Sequence, residues 1–256
     1  MAATVWPVTE LTAGDPRFRE DRGGADPAVL ATLAGYAAGT RSEHEVLTAL
    51  AASRLLVPVV AVLASEDAIA PGQGEKDSEM AMPSIVGRDG RRALPAFTSL
   101  ETLRRWQAAA RPVPVPAASV WRAAVEQSEA VIIDIAGPVP VAVEGARLSA
   151  LAAGQPVRQL HEDPDVGAAV AAVAAGQPPG LRIRLGPPPP GADLTLELMR
   201  ADPAAADPAP ADPVAVDPAL AAAGEAIAAE VAARLGNRCR RGIAVVVRPA
   251  GPDQGG

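Results

Sequence analysis

The sequence predicts a mixed α/β protein of two units, an N-terminal α/β module and a smaller α+β unit in split β-α-β order. Three observations predict it. Short Val- and Ile-rich runs such as "LLVPVVAVL" and "AVIIDIAG" read as buried strands. Longer stretches between them carry apolar residues at helical spacing, opened by Asp-Pro or Ser-x-x-Glu and closed by glycine. After Gly154 the strand and helix signals begin again.

Residues 1–25 are rich in Gly, Asp, Arg and Thr without a sustained period, and read as a flexible N-terminal arm. The first domain spans 26–154. Asp26 and Pro27 open a helix that leaves at Gly39, and Ser42 with Glu45 makes a capping box for a second. "LLVPVVAVL" follows as a strand with Pro58 near an edge or end. After a polar stretch, "MAMPSIVGRDGRRALPAF" reads as a hairpin turning at Asp89-Gly90. "RPVPVP" is extended, 116–127 is a helix carrying Val120, Trp121 and Val125, and "AVIIDIAG" is a strand with Asp134 in its middle. "PVAVEG" and a helix over 146–153 complete the domain.

The second domain, 155–250, reads as strand (155–160), helix (164–175), two strands (180–186 and 192–199), helix (217–235) and strand (241–248). Asp-Pro recurs every five residues near its centre, making 201–216 a low-complexity surface loop.

At 256 residues and 49% hydrophobic, the chain can bury one large core or two small ones. Its net charge of −7 argues against nucleic acid, and the basic cluster Arg234, Arg238, Arg240 and Arg241 sits where cations complement a helix C-terminus. A single cysteine excludes an intrachain disulfide. Residues 1–15 lack a signal-peptide pattern, and the longest apolar run is too short to span a bilayer. A soluble cytoplasmic protein with no membrane association is the expectation.

The corner "ALPAFTSLETLRRW" invites a chemical reading, because Thr98 or Ser99 at a strand-to-helix turn resembles an exposed nucleophile. The spacing favours structure. Either hydroxyl can cap the first turn, Phe97 ends the strand as a core residue, and Leu100, Leu103 and Trp106 recur at helical spacing. His44 and His161 are the only imidazoles, and nothing in the pattern points them here. Two histidines and one cysteine give no metal-ligand spacing, and "GQGEKDS" lacks the order of a phosphate loop, so no metal or cofactor is expected.

Two candidates remain. Asp134, flanked by isoleucines, is either a pocket carboxylate at a sheet's end or a structural acceptor of turn amides or an Arg. Lys76 is the only lysine among 23 basic residues, and with Asp77, Ser78, Glu79, Met80 and Met82 it forms a candidate docking loop for a protein partner.

"LVPVVAVL", "EKDSEMAMPSIVGRDGRRALPAFTSLETLRRW" and "VIIDIAGPVPVAVEG" together resemble the SseB family, named for enhanced serine sensitivity. The resemblance covers about residues 27–154 and is most specific at Pro95, Phe97, Thr98, Ser99 and Trp106. Many members carry Asn-Pro after the late strand, where this chain has Asp134 and, four residues on, Pro138. The resemblance implies an α/β fold and no catalytic residues. The expected function is therefore a non-enzymatic protein-binding or regulatory module, the alternative being a small-molecule sensor or enzyme using a pocket near Asp134.

Overall fold

The structure, a computed structural model, describes residues 5–7, 15–63, 78–87, 90–128, 130–200 and 218–248, and these are mixed α/β. The chain divides into two compact units, Met1–Ala34 with Glu45–Val157, and Gly35–His44 with Arg158–Gly256.

The first unit holds two four-stranded sheets. One has the order β1-β3-β2-β6, with β1 Val5–Pro7, β2 Arg54–Leu63, β3 Ser78–Pro83 and β6 Arg111–Pro116, all antiparallel. The other has the order β4-β5-β7-β8, with β4 Ile85–Val86, β5 Arg92–Ala96, β7 Ala130–Ile133 and β8 Val141–Glu144. In it β5 and β7 run parallel and are buried along most of their length, which explains their unbroken apolar runs.

Helices α1 (Pro27–Ala37), α2 (Glu43–Ala51), α3 (Leu100–Trp106), α4 (Ala117–Gln127) and α5 (Gly145–Ala152) alternate with these strands. Helix α4 turns Ala117, Val120, Trp121 and Ala124 inward. Val125, expected with them, lies at the flank of this face and is half exposed.

Prolines shape the edge at β6. Leu56 exchanges both backbone hydrogen bonds with Phe97, so that part of β2 turns its N–H away from β6. Pro112, Pro114 and Pro116 lie opposite Pro58, Leu56 and Arg54, where no N–H is required between the strands. The alternating prolines thus cost the ladder nothing and blunt the sheet's outer edge.

Three expectations change. The hairpin is short: only Ile85 and Val86 pair with β5, while β3 pairs with β1 and β2 and has no edge left for β5. Residues 155–160 form no strand. Gln155 gives its N–H to the Ala150 carbonyl, Pro156 has none to give, and the chain coils into a short 3-10 turn at Leu160–Glu162.

The second unit accordingly has a three-stranded sheet, β11-β10-β9, of β9 Leu181–Gly186, β10 Leu194–Arg200 and β11 Ile243–Arg248. Strands β10 and β11 are parallel neighbours with β9 outside them, so the βαβ unit is not split. Helices α6 (Pro164–Ala174) and α7 (Pro218–Leu235) cover one face, burying Val166, Val170, Ile227 and Val231 against Leu194, Leu196 and Leu198. The Asp-Pro loop 201–216 lies outside the described residues.

The third change concerns the arm. Residues 15–25 are tied down rather than loose. Arg54 binds Asp21 through two hydrogen bonds, of 2.6 and 2.9 Å, and reaches the Gly24 carbonyl, while Leu100 donates to Gly23. Gly23 has φ of +78°, and a Cβ there would meet Leu100 Cβ at 2.7 Å, so only glycine fits. Both members of the Arg54–Asp21 pair are mostly buried. Arg54→Ala should therefore cost about 1–3 kcal/mol, by leaving the mostly buried Asp21 carboxylate with only the Gly23 N–H as its partner. Limited proteolysis checks it: faster cleavage within residues 15–26 is the expected result.

Candidate functional site

Parallel β5 and β7 end together, and the chain leaves each by a turn that depends on the other. After β5, Phe97 buries its ring completely and lies against Trp106, with centroids 5.5 Å apart. Ser99 is extended and caps α3, its hydroxyl accepting from the Thr102 N–H at 3.1 Å. Of the two candidate caps, it is Ser99 that serves.

Thr98 does something else. Its N–H donates to Asp134 Oδ1 at 2.9 Å and its hydroxyl to Oδ2 at 2.6 Å, while its carbonyl accepts from Arg54 at 2.9 Å. The Thr102 hydroxyl adds a third bond, to Oδ1 at 2.6 Å. Both carboxylate oxygens are thus engaged by one amide and two hydroxyls.

Asp134 is not in the middle of its strand, as the sequence suggested. Its N–H still bonds the Ala96 carbonyl as the last rung of the ladder, but its φ is +49°, a left-handed value rare outside glycine. The turn closes when the Gly137 N–H bonds the Asp134 carbonyl at 2.7 Å. A Cβ on Gly137 would meet Asp134 Cβ at 2.9 Å, so the turn needs glycine there. Asp134, Thr98 and Thr102 are all buried. Chemically, the arrangement is a carboxylate acceptor locking two turns.

The docking-loop candidates divide. Lys76 and Asp77 lie outside the described residues. Ser78, Glu79 and Met80 belong to β3, paired with Leu63, Val62 and Ala61. Met82 is fully buried, so it belongs to the core and offers no partner surface. Its place in the strand, opposite Trp6, accounts for this.

The arginine cluster also differs from expectation. Arg234 pairs with Glu230 one turn back on α7, as a helix-surface pair. In the second unit Arg238 joins Glu43 at 3.1 Å and Asp163 at 2.5 Å, both buried carboxylates. Burial works against its charge, but Glu43 and Asp163 outweigh that and hold its pKa above the usual arginine value. Asp163 also caps α6 through the Asp165 N–H. Arg240 lies 4.6 Å above the Tyr36 ring, whose hydroxyl donates to the Asn237 carbonyl. Arg241 bonds Asp193 through its side chain and its N–H. This basic loop is neutralised by its own unit, an outcome its composition alone did not signal.

Comparison with known proteins adds one finding. Residues 28–150 match the SseB protein N-terminal domain. No curated protein and no solved structure matches the chain.

The lock predicts a sharp difference between two substitutions. Asp134→Ala strands three buried donors and should lower stability by about 3 kcal/mol or more. Asp134→Asn keeps an acceptor for Thr98 N–H and Thr102, can donate to the Thr98 hydroxyl, and tolerates the left-handed turn, so its cost should stay within about 1 kcal/mol. Urea titrations of both variants measure it.

Cys239 supplies a second prediction. Burial, helped by the nearby Asp193 charge, pushes its thiol up to about 12 from 9.0. The native protein should resist thiol reagents at pH 8 and react on unfolding. Above about pH 9 the unfolded thiol ionises first, so this group's share of stability, complete below that pH, should drain away up to about pH 12. A Cys239→Ala variant should show a smaller loss over that window.

Proposed function

From this chain's membership of the SseB family, carried by its N-terminal domain, we propose that it is a non-enzymatic protein-binding or regulatory module. The observation that carries the reading is the state of Asp134. Its carboxylate is used up by Thr98 and Thr102 inside the fold, and the hydroxyls it touches are buried with it. A nucleophile must reach a substrate and a base must accept its proton. Here the hydroxyls are walled in, and no imidazole is among their hydrogen-bond partners. Ser99, less buried, spends its oxygen as a helix cap.

A second reading, a small-molecule sensor or enzyme near Asp134, has one observation in its favour. A left-handed non-glycine residue at the carboxyl ends of parallel strands stores strain where α/β folds often place a site.

Affinity capture of the tagged protein, followed by mass spectrometry, separates the two. Under the binding reading Asp134→Asn retains its captured proteins. Loss of a small-molecule ligand in that variant, with melting unchanged, would favour the sensor. For Lys76, a docking charge that folding does not use, Lys76→Glu should shift the melting temperature by no more than about 4 °C, the equivalent of ~0–1 kcal/mol. It should weaken capture more at low salt than at high. An unchanged set of partners at both salt concentrations would remove Lys76 from the interface.

A further inference from the structure

In the second unit α6 and α7 cover one face of the sheet, and the other face carries a row of charges. Across one rung, Arg184 on β9 stands opposite Glu197 on β10, and Glu197 stands opposite Val246 on β11. Glu197 accepts a 2.6 Å hydrogen bond from Arg248, two residues along β11. Reading outward from β11, the signs run positive, negative, positive, and stop at Arg184. Beyond it β9 is an edge, with no further strand among the described residues.

The apolar side of β9 is unfinished in the same place. Leu194, Leu196 and Leu198 of central β10 are fully buried, whereas Leu181, Ile183 and Leu185 of β9 are only partly so. Arg182 and Arg184 alternate with them and are exposed. The edge therefore offers a row of backbone groups, a half-covered apolar side and a basic side.

We infer that the β9 edge accepts an extended acidic segment of a protein partner as a fourth strand. Its acidic residue would lie beside Arg184, and its apolar residues would cover Leu181, Ile183 and Leu185. Strand pairing supplies affinity, and the next negative position in the row supplies selectivity. A second copy of this chain is the poorer occupant, because antiparallel pairing about Ile183 sets Arg182 of one copy against Arg184 of the other. The chain's own Asp-Pro repeat is poorer still, since each Asp is followed by a residue with no N–H to give.

The inference rests on the binding-module reading and names a surface for it. The probe is a fluorescein-labelled peptide of alternating Val and Glu, seven residues long, with a Lys-for-Glu counterpart, titrated against the full chain by anisotropy. The Glu peptide should bind saturably below about 1 mM, more weakly as salt rises, and the Lys peptide should not. Amide exchange should slow in residues 181–186 when the Glu peptide is bound. Arg184→Gln should weaken it about two- to fivefold. Arg184→Glu, if it melts like the wild type, should shift preference to the Lys peptide.

No saturable binding, equal binding of both peptides, protection elsewhere, or indifference to Arg184→Gln would each overturn the inference. So would a homodimer, seen by light scattering, that Arg184→Gln changes. Partner capture that persists unchanged in Arg184→Gln would sink the β9 site and leave the binding reading standing. Absence of any captured partner would sink that reading, whatever the peptide does.

Discussion

The first unit hangs on one buried carboxylate. Two parallel strands must each turn away at the same level, and a turn leaves backbone donors without ladder partners. Asp134 answers for both sides. Its carboxylate takes the Thr98 amide and hydroxyl from the end of β5, with Thr102 from the first turn of α3. Its own backbone completes the ladder with Ala96 and then closes the β7 turn on Gly137. Burying a charge is unfavourable unless it is fully hydrogen-bonded, and here the three donors lie 2.6 to 2.9 Å away.

The consequence spreads along the chain. With Thr98 held, Phe97 extends β5 by one residue and bonds Leu56, bridging the two sheets of the unit. Arg54, two residues before Leu56, is then in reach of the Thr98 carbonyl and of Asp21, so the segment after residue 15 is drawn onto the corner. The second unit uses the same logic with opposite charge. A loop of arginines is held by Glu43, Asp163, Asp193 and the Tyr36 ring, so the most basic stretch is an internal fastening. Neither cluster offers its charges to solvent chemistry, which is why the functional reading turns to edges and faces.

Much of the fold was legible because periodicity and punctuation are local. The helices and strands fall close to where Asp-Pro, Ser-x-x-Glu and glycine signals put them, and Phe97 was recognisable as core from its place in the pattern, with Trp106 partly buried against it. The errors have a common cause. The strand expected at 155–160 had its pattern, but its donors were already spent on α5 and on Pro156. The long hairpin had an Asp-Gly turn, but both edges of β3 were taken. Met82 looked adaptable and lies in the core, because a strand sends alternate side chains inward whatever the composition nearby.

The amino-acid sequence by itself determined the class of fold, the order of most elements, the corner at Phe97–Ser99 and the absence of a paired cysteine. These follow from side-chain volume, backbone preference and spacing, which act between near neighbours. Tertiary structure decided the partners. Whether Asp134 faced a pocket or locked a turn, whether Arg54 and Arg238 were surface charges or buried fastenings, and which strand edge was left open all depend on groups dozens of residues away. Hydrogen bonds and ion pairs reach only a few ångströms, so their meaning exists only once the chain has been brought together.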